Sequence, residues 1–115
     1  MNQALVIIPT YNEKENIRAI IETVFSVSEP FDILVIDDNS PDGTADIVAS
    51  LQTKSENENR LHLISRAGKL GLGTAYIEGF KFALDLNYNY VIEMDADFSH
   101  NPQDPRRFGG PVLIV

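Results

Sequence analysis

Four short runs rich in apolar residues, separated by stretches that mostly repeat apolar residues at helical spacing, constrain this 115-residue chain more than anything else in it. Residues 4–8, rich in β-branched side chains and closed by Pro9, read as a buried strand. Residues 33–36 form a second run that ends at Asp37-Asp38, residues 61–64 a third, and residues 90–94 a fourth that ends at Asp95-Ala96-Asp97. Between the first two, Ile17, Ile20, Ile21, Val24 and Phe25 follow the spacing of one helical face. Asn12 is placed to cap that helix, with Glu15 as its capping-box partner. Thr44 is placed to cap a second helix that buries Ile47, Val48 and Leu51. The polar stretch 53–59 lacks periodicity and reads as a surface loop. Residues 68–73 hold three glycines and open a third helix that uses Tyr76, Ile77, Phe80, Ala83 and Leu84. The order is therefore β-α-β-α-β-α-β. Crossover helices between buried strands imply an α/β, three-layer, mostly parallel sheet with helices on both faces. Residues 109–115 look like a turn feeding one more buried strand, after which the chain stops, so the sheet is expected to be incomplete at the C-terminus and residues 1–115 to be part of a domain.

Composition narrows the function classes. Nine Lys and Arg against seventeen Asp and Glu give a net charge of −8. A nucleic-acid partner, which needs a basic face to neutralise phosphates, is not expected. The absence of cysteine removes disulfides, thiolate catalysis and thiolate-bound zinc together. No apolar run is long enough to cross a bilayer, and the N-terminus lacks the basic start and long apolar stretch of a signal peptide, so a cytoplasmic setting is the expectation.

In open parallel sheets ligands bind outside the carboxyl ends of the strands. Three polar clusters follow strand ends here: Pro9-Thr10-Tyr11-Asn12-Glu13, Asp37-Asp38-Asn39-Ser40 and Asp95-Ala96-Asp97-Phe98-Ser99-His100. Asp95 and Asp97, two residues apart after a strand, can converge on one point. At ~4 Å and an effective dielectric near 20 two like charges repel by roughly 4 kcal/mol, so a cation should offset them. An oxygen-only donor set suits Mg²⁺ or Mn²⁺; a solvated acidic turn is the plainer alternative. Of Asp37 and Asp38, one carboxylate has a structural use in capping the following turn, and one can accept hydrogen bonds from a base or ribose hydroxyl. Residues 29–46 hold six acidic residues and no Lys or Arg, which suits neutral donor groups of a nucleoside better than a bare phosphate. Tyr11 reads either as core packing or as a stacking surface for a base. Glu13 reads either as a favourable charge at a helix start or as a ligand contact. Arg66-Ala67-Gly68-Lys69-Leu70-Gly71-Leu72-Gly73-Thr74 is a basic, glycine-rich helix start, read either as an anion site through its backbone amides or as a tight turn with two solvated cations. His62 reads as structural and His100 as part of a turn. Arg106 and Arg107 read as exposed cations flanking the site.

Taken together, Pro9-Thr10-Tyr11-Asn12-Glu13, the segment 37–44 (DDNSPDGT), the segment 69–76 (KLGLGTAY) and the segment 94–100 (MDADFSH) resemble the family 2 glycosyltransferases, and within them the dolichyl- or polyprenyl-phosphate mannosyltransferases. The match covers about residues 4–104. The resemblance implies a GT-A fold, a Rossmann-like nucleotide-binding α/β domain. It implies that Pro9, Tyr11 and Glu13 line a nucleoside pocket, that Ile36 with Asp37 or Asp38 meets the base and ribose, and that Asp95, Ala96 and Asp97 hold a divalent metal and the donor's ribose and pyrophosphate. Lys69 joins the cofactor-binding set and Asp95 and Asp97 the catalytic one. The implied donor is GDP-mannose, and the implied acceptor a polyprenyl phosphate reached at the cytoplasmic membrane face. Transfer is expected to be metal-assisted and to invert the anomeric centre. After Pro105 the chain leaves the family pattern, so the 115-residue chain by itself is expected to be impaired or inactive in transfer. Two other functions fit parts of the sequence: a non-catalytic nucleotide-sugar-binding remnant, and a phosphoacceptor receiver domain. The receiver uses an acidic pair after its first strand, whereas here that strand ends in Pro-Thr-Tyr-Asn-Glu.

Overall fold

In a computed structural model of the chain we describe residues 3–27, 30–57, 59–68, 70–94, 96 and, as backbone, 112–114. The strands are β1 (Ala4–Thr10), β2 (Phe31–Asp37), β3 (Leu61–Ser65), β4 (Tyr90–Glu93) and β5 (Val112–Ile114). The helices are α1 (Ile17–Ser26), α2 (Thr44–Gln52) and α3 (Leu72–Asp85), with a 3₁₀ turn at Ser55–Asn57. The strand order is β3-β2-β1-β4-β5. The first four strands run parallel, and β5 pairs antiparallel with β4. This is a mostly parallel α/β sheet, as the alternation of elements predicts. A receiver domain would show the 2-1-3-4-5 order instead.

Side-chain alternation along β1 and β2 divides the interior in two. Val6, Ile8, Ile33 and Val35 pack against α1 and α2 through Ile17, Ile20, Ile21, Val24, Val48 and Leu51. Leu5, Ile7, Leu34 and Ile36 face α3. Both faces of the central strands are therefore covered, which explains why the strands read as continuous apolar runs rather than alternating ones.

Several local expectations are corrected. Asn12 does not cap α1: it adopts a left-handed conformation, φ 57°, and α1 begins after Asn16. The chain first turns on Glu13, whose carbonyl accepts the Asn16 and Ile17 amides. The α2 cap is Gly43, at φ 92°, with Thr44 as the first helical residue. Residues 53–59 are not a plain surface loop. Asn57 is buried and donates from Nδ2 to the Leu51 carbonyl at 2.8 Å, tying the 3₁₀ turn to the end of α2. Helix α3 faces the sheet with Ala75, Gly79 and Ala83, while Ile77 and Leu84 point outward. Small residues at i, i+4 and i+8 let the helix lie close to β1, and Tyr76 and Phe80 pack only partly against the core.

Candidate functional site

Strands β1, β2 and β3 end in register, with Thr10 beside Asp37 and Asp37 beside Ser65. The loops that follow all leave from one edge. Strand β4 reaches the same edge, its ladder continuing as Met94 N donates to the Ile7 carbonyl at 3.0 Å. Ala96 is buried in the α1/α2 side of the core. Asp95, Asp97 and Lys69 lie outside the described residues, as do His100, Arg106 and Arg107.

Asp37 is 1% exposed and wholly engaged within the protein. Its Oδ1 accepts from Thr10 Oγ1 at 2.7 Å and Ser40 Oγ at 2.6 Å, and its Oδ2 accepts from Ser40 N at 2.9 Å. Ser40 Oγ in turn accepts from Asn12 N at 2.9 Å. A second clasp lies beside it. Asp42 Oδ2 accepts from Lys14 N at 3.1 Å, and Oδ1 from the backbone and hydroxyl of Thr44. The Thr44 hydroxyl accepts from Glu13 N at 3.0 Å. Desolvation raises the Asp42 pKa, but the bonds from Thr44 and Lys14 outweigh it, and the carboxyl sits below its ordinary value. The loop after β1 is thus laced to the loop after β2 by three backbone amides. Asp37 takes the structural use that the sequence allowed to either member of the pair.

Asp38 behaves differently. It meets Arg66, which is 8% exposed and not the solvated cation that a tight turn would present. Arg66 Nε donates to Asp38 Oδ1 at 2.6 Å and Nη2 to Oδ2 at 2.9 Å, a two-pronged pair. Hydrogen bonding to Asp38 holds the guanidinium above its ordinary pKa, against the opposing effect of burial. Leu70 N also donates to Asp38 Oδ2, at 3.1 Å. The acidic window 29–46 therefore receives its cation from a residue 28 positions later.

Around Asp38 lies a cleft of about 140 Å³ lined by Pro9, Thr10, Tyr11, Asp38, Gly71, Leu72 and Ala75. Tyr11 is 38% exposed beside it, so it is not core packing. Of the residues expected at a nucleoside pocket, Pro9, Tyr11 and Asp38 come together here. Ile36 is sealed in the α3 side of the core, Asp37 is turned to Thr10 and Ser40, and Glu13 gives its amide to Thr44 and accepts from Asn16 Nδ2 at 3.3 Å. Thr10, Gly71, Leu72, Ala75 and Arg66 join the site without having been singled out as ligand contacts. Gly71, at φ 101°, is the one among them with a readable signal, since a glycine before a helix marks a backbone turn that other residues resist. A larger hollow of about 360 Å³ sits at the opposite edge, between the ends of α1 and α2. It lies away from the strands' carboxyl ends, and the smaller cleft is the one where an open parallel sheet binds ligands.

Among the described residues no group of three or more His, Asp or Glu side chains is placed to hold a metal ion. Asp37 and Asp38 each accept three bonds from protein donors.

Comparison with known proteins places these observations. A family model described as glycosyl transferase family 2 matches residues 5–108. The polyprenol monophosphomannose synthase of Mycolicibacterium smegmatis is 44% identical over 105 residues, which cover 91% of this chain and 39% of that protein. The undecaprenyl-phosphate mannosyltransferase of Micrococcus luteus is 42% identical over 101 residues, covering 88% of this chain and 40% of the relative. The chain therefore spans about two fifths of the length of the curated relatives it matches. Among solved structures, the mannosyltransferase PcManGT from Pyrobaculum calidifontis, in complex with GDP-Man and Mn²⁺, superposes with a TM-score of 0.74 at 25% identity, covering 84% of this chain and 28% of that one.

Proposed function

Because the chain belongs to glycosyl transferase family 2, we propose that it binds a nucleotide sugar, GDP-mannose, in the cleft beside Asp38 and serves transfer of mannose to a polyprenyl phosphate. The observation that carries this is the meeting of Pro9, Tyr11 and Asp38 in one cleft at the carboxyl ends of the parallel strands. The two mannosyltransferase relatives and the GDP-Man complex of the structural neighbour support the choice of sugar and base.

Tyr11, 38% exposed, offers its ring to a base, and Asp38, paired with Arg66, a carboxylate that a neutral N–H or hydroxyl can meet. In this assignment Asp95 and Asp97 would hold Mg²⁺ or Mn²⁺, with Ala96 between them, and Lys69 would join the donor-binding set. A metal held there would supply positive charge where the nucleoside diphosphate departs. The acceptor phosphate is anionic at neutral pH and attacks the anomeric carbon without a strong general base, in one inverting displacement. Among the described residues no helix is long and apolar enough to cross a membrane. We assign the acceptor's head group to the cytoplasmic membrane face.

Calorimetric titration of the chain with GDP-mannose and Mn²⁺, with Asp97→Ala as comparison, tests this. Saturable binding that the substitution abolishes is expected. Absence of binding to the unsubstituted chain overturns the assignment. Adding a polyprenyl phosphate and measuring mannosyl transfer then separates a transferase from a donor-binding chain that does not turn over.

A further inference from the structure

Arg66 is a buried cation on the loop after an edge strand, an expensive place for a guanidinium unless its donors are all used. They are used widely. Besides the two bonds to Asp38, Nη1 donates to Thr74 Oγ1 at 3.0 Å and Nη2 to the Gly71 carbonyl at 3.2 Å. The Thr74 hydroxyl meets the carbonyls of Leu70 and Gly71 at 3.0 and 2.9 Å. The Arg66 amide extends the sheet ladder, donating to the Asp37 carbonyl at 2.8 Å. One side chain thus joins the end of β2, the glycine loop and the first turn of α3. Asp38 and Gly71, two residues that it holds directly, line the cleft, and Leu72 follows Gly71 into it.

We propose that Arg66 is a positioning residue for donor binding, fixing the Asp38 carboxylate and the 70–72 backbone as one wall of the nucleoside cleft. This rests on the donor-binding assignment above. Arg66 does not itself line the cleft. It acts through Asp38 and Gly71, and its planar fork sets both where a point charge sets only one. Lysine at this position keeps the charge and satisfies Asp38 with a single donor, but cannot also reach Thr74 and Gly71 in the same plane. The loss therefore falls on the geometry of the cleft wall more than on the stability of the fold.

The test compares unsubstituted chain, Arg66→Lys and Arg66→Gln, using GDP with Mn²⁺ as the probe. Three quantities are measured: the dissociation constant, the melting temperature, and hydrogen exchange of the Leu70 amide, which Asp38 Oδ2 holds. Arg66→Lys is expected to melt near the unsubstituted chain, to exchange the Leu70 amide faster, and to bind GDP about tenfold more weakly. Arg66→Gln is expected to bind more weakly still; if it fails to fold, Arg66→Lys decides alone. Unchanged affinity and unchanged Leu70 exchange in Arg66→Lys overturn the proposal. If the unsubstituted chain does not bind GDP, the donor-binding assignment falls, while Leu70 exchange still reports whether Arg66 holds the loop.

Discussion

Replacing Gly79 with alanine places a methyl carbon 2.6 Å from Ile7 Cδ1, 2.9 Å from Cγ2 and 3.1 Å from Cγ1. Ordinary van der Waals contact begins at 3.4 Å. Two effects then compete. Alanine in a helix interior is favoured over glycine by about 1 kcal/mol. Against this, Ile7 is fully buried in β1 and β-branched, so Cγ2 cannot swing away without moving χ1 off its preferred well. Either Ile7 leaves its rotamer or α3 lifts off the sheet, and overpacking of this kind costs ~1–3 kcal/mol. The net expectation is a loss of about 1 kcal/mol, or a melting temperature lower by about 4 °C for a domain of this size. Urea unfolding followed by circular dichroism measures it. Ile7→Val sharpens the test by removing Cδ1, at a cost of about 1 kcal/mol alone. The double variant should be more stable than the sum of the two losses predicts, by roughly 0.5 kcal/mol or more. A Gly79→Ala chain as stable as the parent, or strict additivity in the double variant, refutes the claim that a close helix-to-strand approach fixes residue 79 as glycine.

Two further outcomes concern the opposite edge of the sheet. Tyr88 donates its hydroxyl to Asp32 Oδ2 at 2.7 Å in a buried setting, so Tyr88→Phe is expected to lower the unfolding free energy by ~1.5–3 kcal/mol, and a loss under about 0.5 kcal/mol in urea denaturation refutes it. His62 lies 3.4 Å from that hydroxyl and against the Phe82 ring, and burial pulls its pKa below the ordinary value while Asp32 pulls it up by less. The unfolded chain therefore takes up the proton first as pH falls, so stability is full above about pH 6.5 and declines through the interval below it. His62→Gln should flatten that part of the stability-against-pH curve, and an unchanged slope removes His62 as its cause.

The sheet was legible because buried parallel strands write themselves as runs rich in apolar residues, unbroken over 4–8 and 33–36, and because polar or turn residues close the runs. What the sequence hid has specific physical causes. Helix α3 carries two apolar stripes, and the bulkier one, with Ile77 and Leu84, masks Ala75 and Gly79, which with the expected Ala83 form the small stripe that the close approach to Ile7 requires. Asn12 with Glu15 has the spacing of a capping box, yet the Asn12 amide is taken by Ser40 and the helix waits until Ile17. At the site, the strand ends announced where to look, and Pro9, Tyr11 and Asp38 come together in one cleft there while Ile36 and Asp37 do not line it. Which of the two adjacent aspartates would face the cleft was not readable, since it depends on Thr10 claiming one and Arg66 the other, contacts that span 27 and 28 residues.

The two polar clusters sit at opposite ends of the same strand, Asp32 at the start of β2 and Asp37 at its finish. Five residue steps separate them, roughly 17 Å, beyond the range of about 7–10 Å within which substitutions couple. The sheet therefore insulates its two ends from each other. Changes near Tyr88 and His62 can adjust how firmly the molecule holds together while the edge that carries Asp37 and Asp38 keeps its shape.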